Sequence, residues 1–135
     1  MRCVTNVVVS DEFTSIGQRM LYGCGGVESV NIPSGIESIG EYAFSGCSSL
    51  ADLTIPDGVK EIGNYAYSGT PISSLVIPDS VKTIGQNAFE NCSSLQSVDI
   101  GDGVVSIGNQ AFLKCASMES VRFGDHVESM GYMAF

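Results

Sequence analysis

The pair Ile-Gly recurs along the chain with a nearly constant step, and no other feature limits the possible folds as severely. It stands at Ile16-Gly17, Ile39-Gly40, Ile62-Gly63, Ile84-Gly85 and Ile107-Gly108, with Met130-Gly131 as a sixth variant, and the spacings are 23, 23, 22, 23 and 23. An apolar triplet of the form L-x-x-L-x-I keeps the same step: Val4/Val7/Val9, Val27/Val30/Ile32, Leu50/Leu53/Ile55, Ile72/Leu75/Ile77, Leu95/Val98/Ile100 and Met118/Val121/Phe123. A fixed period of this length means stacked supersecondary units, none of which can bury its apolar face alone. About six coils of 22–23 residues are therefore expected over residues 1–135, as one domain. The single missing residue falls where Gly69-Thr70-Pro71-Ile72 replaces the longer Gly46-Cys47-Ser48-Ser49-Leu50. A surface loop is where such a deletion costs least.

Each coil can be read locally. Leu53-Thr54-Ile55 alternates apolar and polar, the pattern of a short strand with one buried face, so stacked coils predict one parallel sheet. Pro56-Asp57-Gly58 then reverses the chain: proline presets φ, aspartate bonds nearby backbone and glycine relaxes the end of the turn. Val59 to Gly63 reads as a second extended piece, and Asn64-Tyr65-Ala66-Tyr67 as a single helical or 3₁₀ turn. The aromatic column Leu21, Phe44, Tyr67, Phe89, Phe112 and Phe135 is expected to fill the interior.

The motif I-P-x-x-V-x-x-I-G-x-x-A-F-x-x-C-x-x-L, seen in Ile55 to Ile62 and in Ala88-Phe89-Glu90-Asn91-Cys92-Ser93-Ser94-Leu95, resembles the BspA-like class of leucine-rich repeats. The resemblance covers essentially the whole chain. It implies an α/β right-handed leucine-rich-repeat solenoid, with a parallel sheet on the concave face and short extended or 3₁₀ segments opposite. It also implies a non-catalytic interaction or adhesion module of a cell-surface or secreted protein, and an extracellular location. The family supplies no universal catalytic or ligand residues. The chain departs from the pattern at Ser10 and Met20-Leu21 in the first coil, at Thr70 in the third, and at Gly101 and Gly124 in the fifth and sixth.

Composition narrows function further. The formal charge is −9, from fifteen acidic and six basic residues without a Lys/Arg cluster, so nucleic-acid binding has no electrostatic footprint. No apolar run approaches the roughly 20 residues that span a bilayer, so membrane insertion is not expected, and Met1 to Asn6 lack the charged and apolar regions expected of a signal peptide, so a secretion signal is expected outside this sequence. Cys24, Cys47, Cys92 and Cys115 share one repeat position. Zinc ligands bunch as C-x₂₋₄-C, whereas these stand a coil apart, so a buried ladder of reduced thiols is expected and neither metal nor cofactor. The turn aspartates Asp11, Asp57, Asp79, Asp102 and Asp125 give too few oxygens at one point for calcium. The single histidine, His126, has no nucleophile beside it in sequence, so no enzyme site is expected.

Two surfaces remain as candidates. The outward sheet face should present Glu28, Asn31, Asp52, Thr54, Val76, Gln96, Asp99, Glu119 and Arg122 to a protein or glycan ligand. It lacks aromatic anchors, and the exposed tyrosines are expected on the opposite side, among Tyr42, Tyr65 and Tyr132. The coil ends have no polar cap, which fits a piece of a longer repeat array or head-to-tail stacking of copies through Cys3, Val4, Val7, Val9, Met130, Met133 and Phe135. Phe135 followed by Met1-Arg2-Cys3 would restore the Phe-x-x-Cys spacing of Phe112 to Cys115. Adhesion, self-assembly into filaments, and service as an accessory repeat domain of a larger enzyme are the three functions compatible with this reading.

Overall fold

The computed structural model describes residues 4–135, so Cys3 lies outside the described residues. Strands of three or four residues arise from the apolar triplets: β1 (Asn6–Val8), β3 (Ser29–Asn31), β6 (Ser74–Ile77), β8 (Ser97–Ile100) and β10 (Ser120–Arg122). Two-residue strands end on the residue before the repeat glycine: β2 (Ser15–Ile16), β4 (Ser38–Ile39), β5 (Glu61–Ile62), β7 (Thr83–Ile84), β9 (Ser106–Ile107) and β11 (Ser129–Met130). Every pairing is parallel, and the register joins equivalent residues of adjacent coils, as in Leu75↔Val98 and Ile84↔Ile107.

The short strands form the uninterrupted ladder, in the order β11-β9-β7-β5-β4-β2. The expected continuous sheet of triplet strands is instead divided into β1-β3 and β10-β8-β6, and residues 51–56 between them carry no strand. The cause is local. Glu28, Gln96 and Glu119 each begin their ladder by donating an N–H to the preceding coil, whereas the equivalent Ala51 N–H turns back to Ser49 O at 3.1 Å. Among the described residues, no backbone hydrogen bond joins residues 52–55 to either neighbouring coil.

The α/β class and the 3₁₀ turn expected from the sequence are also corrected, because the described residues contain no helix of any kind. The residue before each interior alanine, or its counterpart in the first coil, is left-handed: φ is 57° at Arg19, 58° at Tyr42, 59° at Tyr65, 56° at Asn87, 57° at Gln110 and 50° at Met133. Helical turns need consecutive right-handed residues, so none can propagate through this position. The N–H groups divide their bonds instead. Those of Ala43 and Ser45 bond within their own turn, while those of Tyr42, Phe44 and Gly46 reach Asn64, Ala66 and Ser68 of the next coil at 3.0, 2.7 and 2.8 Å. The architecture is an all-β solenoid.

Its core is a set of columns. Phe44, Tyr67, Phe89 and Phe112 are fully buried, and their rings stack at centroid distances of 5.0, 5.3 and 5.2 Å with planes within 8° of parallel. A centroid distance near 5 Å between parallel rings requires lateral offset, the arrangement the ring quadrupole favours, and each such pair adds about 0.5–1.5 kcal/mol beyond burial. The repeat glycines are set by backbone proximity. A Cβ on Gly40, Gly63, Gly85, Gly108 or Gly131 would lie 2.7, 2.8, 2.6, 2.6 or 2.3 Å from backbone of the preceding coil.

Candidate interaction face

The sheet β6-β8-β10 presents one column outward for each column it buries: Val76 is exposed between buried Leu75 and Ile77. Along this face runs an open groove of about 580 Å³. Its lining includes Thr54, Val76, Asp99 and Arg122, so four of the residues expected on the binding face converge on one depression. Asp57, Asp79 and Asp102 line the same groove from the turns. A second, smaller groove meets it at Thr54 and carries Asn31. Glu28, Asp52, Gln96 and Glu119 are exposed as expected but line neither groove, since each precedes the strand segment or sits in the interrupted coil.

Charge in the groove is partly neutralised within the chain. The Arg122 guanidinium donates to Asp99 Oδ1 at 2.7 Å, and this hydrogen bond raises the Arg122 pKa further above its ordinary value. Asp79 Oδ1 accepts the N–H of Asp102, 2.8 Å away in the next coil. The turn aspartate thus bonds between coils, not to its own turn. Other turn side chains do the same: Ser80 accepts from Gly58 N–H and donates to Val59 O, and Ser49 and Ser117 donate to carbonyls of the preceding coil.

The thiol column lies inside, with all four of these cysteines free. Cys47 and Cys92 are buried and Cys24 and Cys115 half-buried. Cys47, Cys92 and Cys115 point Sγ at the carbonyl of Leu21, Tyr67 and Phe89 in the coil before, at 3.2, 3.4 and 3.2 Å. Thr70 occupies the same column and donates to Tyr67 O at 2.9 Å. Burial pushes the Cys47 thiol up to about 11. Among the described residues, no three His, Cys, Asp or Glu side chains gather as metal ligands, and no helix is long and apolar enough to cross a membrane.

The end-contact residues separate. Val4, Met130, Met133 and Phe135 are exposed, and Val7 is half-buried. Val9, expected at an end contact, is instead 4 % exposed and packs in the core. Val4 and Phe123 were expected to point inward, yet are 61 % and 42 % exposed, because each is covered by a neighbouring coil on one side only. Phe135 continues the aromatic stack on Phe112 at 4.8 Å while remaining accessible.

Tyr42 and Tyr65, expected among the exposed tyrosines, are half-buried, and sequence reasoning missed their grouping with Arg19 and the exposed Tyr22. Tyr42 and Tyr65 stack at 4.7 Å, Tyr22 stands edge-on to Tyr42 at 5.8 Å, and the Arg19 guanidinium lies 5.1 Å from the Tyr42 ring centre. The 23-residue steps from Arg19 to Tyr42 to Tyr65 were the available signal. Tyr132 belongs to a different column, at the other end of the solenoid.

Stacked coils with hydrogen-bonded turns, a buried aromatic spine and broad polar faces define a leucine-rich-repeat solenoid. The chain belongs to the BspA-type leucine-rich repeat family, whose repeat matches residues 4–135 in six copies. A leucine-rich repeat protein from Eubacterium ventriosum superposes with a TM-score of 0.83 at 27% identity, over 91% of this chain and 32% of that one. The leucine-rich repeat protein of T. pallidum gives 0.68 at 27% identity, over 93% and 72%. One from Bacteroides ovatus gives 0.70 at 24% identity, over 95% and 39%, so the chain spans well under half of that protein. No curated protein matches the chain.

Proposed function

We propose that the chain is a protein-interaction module of a cell-surface or secreted protein, and that it binds through the groove across β6, β8 and β10. The observation that carries this reading is the convergence of Val76, Asp99 and Arg122 from the paired strands, and of Thr54 from the strandless segment beside them, on one open depression. Extended faces of stacked repeats suit macromolecular ligands, and the backbone of paired strands is already ordered and so loses little freedom on binding. Membership of the BspA-type family supports the outside location. The test replaces Thr54, Val76 and Asp99 together with arginine and measures attachment to immobilised extracellular matrix and to whole cells. Attachment unchanged from that of the parent chain would remove this face from consideration.

A second reading, head-to-tail stacking of copies, is favoured by Gly17. It occupies the column in which every later glycine meets backbone, yet a Cβ there would meet nothing within 4 Å. The face of the first coil therefore already has the shape that admits another coil, whether from the same polypeptide or from a second copy. Analytical ultracentrifugation over a hundredfold concentration range, with electron microscopy for filaments, tests it. A single species of monomer mass throughout would exclude association between copies.

A further inference from the structure

We propose that the turn-side patch of Arg19, Tyr22, Tyr42 and Tyr65 is a second docking surface, and that it receives a carboxylate-bearing segment of a protein partner. The four side chains form one contiguous unit. Tyr42 and Tyr65 are stacked with planes 3° apart, Tyr22 stands at 82° to Tyr42, and the Arg19 guanidinium lies 5.7 and 5.1 Å from the ring centres of Tyr22 and Tyr42. Tyrosine and arginine dominate the energetics of protein interfaces, and the groove face offers neither an aromatic anchor nor an unpaired arginine.

The chemistry of the missing occupant follows from what the patch leaves unused. Among the described residues, Arg19 has no ion pair, although Glu41 lies on the adjacent turn and accepts the Arg19 backbone N–H. The hydroxyls of Tyr22, Tyr42 and Tyr65 donate to no described protein group either. Donors are therefore concentrated at one spot on a chain whose formal charge is −9. A guanidinium lying against aromatic rings is partly desolvated and restrained, which strengthens a two-pronged bond to a carboxylate and reduces the entropy it loses.

The geometry of Tyr42 argues for protein over sugar. Tyr42 is covered on one face by Tyr65 and overlain by the Arg19 guanidinium, so it offers its edge and hydroxyl and not a flat platform, and neither groove described above reaches the patch.

The chain has no tryptophan, and three of its five tyrosines belong to the patch, so tyrosine fluorescence reads the site directly. The intact chain is titrated with a synthetic peptide alternating glutamate and leucine, with its lysine–leucine counterpart, and with a glucuronic-acid oligosaccharide. The glutamate peptide is expected to saturate the signal, and Arg19→Ala to weaken it about tenfold, the scale of an interface hot spot. Lys60→Ala, which alters an exposed cation outside the patch, is expected to leave affinity unchanged. Because Arg19 is exposed, circular dichroism of Arg19→Ala should overlay that of the parent. Absence of saturation, equal response to the lysine peptide, or indifference to Arg19→Ala overturns the proposal. Tighter, Arg19-dependent binding of the oligosaccharide overturns it too, by assigning the patch to an acidic glycan.

Discussion

Alanine at Gly108 and alanine at Gly17 should have opposite effects on stability, although both residues hold the same repeat position. At Gly108 the added Cβ would lie 2.6 Å from Gln86 N, 2.7 Å from Gly85 C and 2.9 Å from Gln86 Cα, all backbone atoms that cannot rotate aside. Relief to an ordinary contact of 3.4 Å needs the two coils to part by about 0.8 Å. The Gly108 N–H to Ile84 O bond, now 2.8 Å, crosses the same gap and would be stretched with it. Loss of that bond removes about 1 kcal/mol. Overpacking adds about 1–3 kcal/mol, so the total is about 2–4 kcal/mol. At Gly17 the Cβ meets nothing within 4 Å and φ is not left-handed. There alanine mainly restricts the unfolded chain and stabilises by about 0.4–1 kcal/mol. Urea unfolding followed by far-ultraviolet circular dichroism gives both midpoints. If the two variants shift together, or Gly108→Ala stays within about 0.5 kcal/mol of the parent, close approach of coils is not what selects glycine in this column.

Three smaller predictions follow from the same contacts. The Tyr67 hydroxyl is buried without a hydrogen-bond partner among the described residues, so Tyr67→Phe should leave the unfolding free energy measured in urea unchanged or raise it by up to about 1 kcal/mol. For Cys47, the folded-state pKa is raised from 9.0 to about 11 by burial, so its contribution to stability is complete below pH 9 and is lost as pH rises toward 11; unfolding midpoints taken from pH 8 to 11 should fall more for the parent than for Cys47→Ala. Lys60 and Glu37 pair at 3.5 Å with both side chains more than 60 % exposed, so Glu37→Gln should change the unfolding free energy measured in urea by less than about 0.5 kcal/mol.

The aromatic spine was legible because period and residue type agree: Phe44, Tyr67, Phe89 and Phe112 recur at the coil step and can only be buried together. The thiol column was legible for the same reason, with Thr70 showing that a small group suffices. The turn was misread because Ala-Phe flanked by polar residues is compatible with a helical turn, and nothing in Tyr42 or Tyr65 announces a positive φ. The aspartates were assigned to their own turns because that bond is local, whereas Asp79 finds its donor 23 residues later. On the binding face, alternation identified the outward columns but could not foresee that Ala51 would bond Ser49 and part the sheet.

By itself the sequence determined that the chain stacks, how many coils it has, and which columns lie inside. A repeated apolar pattern admits one register in which every buried position meets its equivalent, so those properties follow from period alone. Tertiary structure alone decided how the turns spend their hydrogen bonds, where the sheet is interrupted, and that Arg19 lies across tyrosines from its own and the next coil. Each of these depends on which neighbour reaches a donor first. That competition takes place across the gap between coils, between groups about one period apart in the chain, and no local reading of residue types contains it.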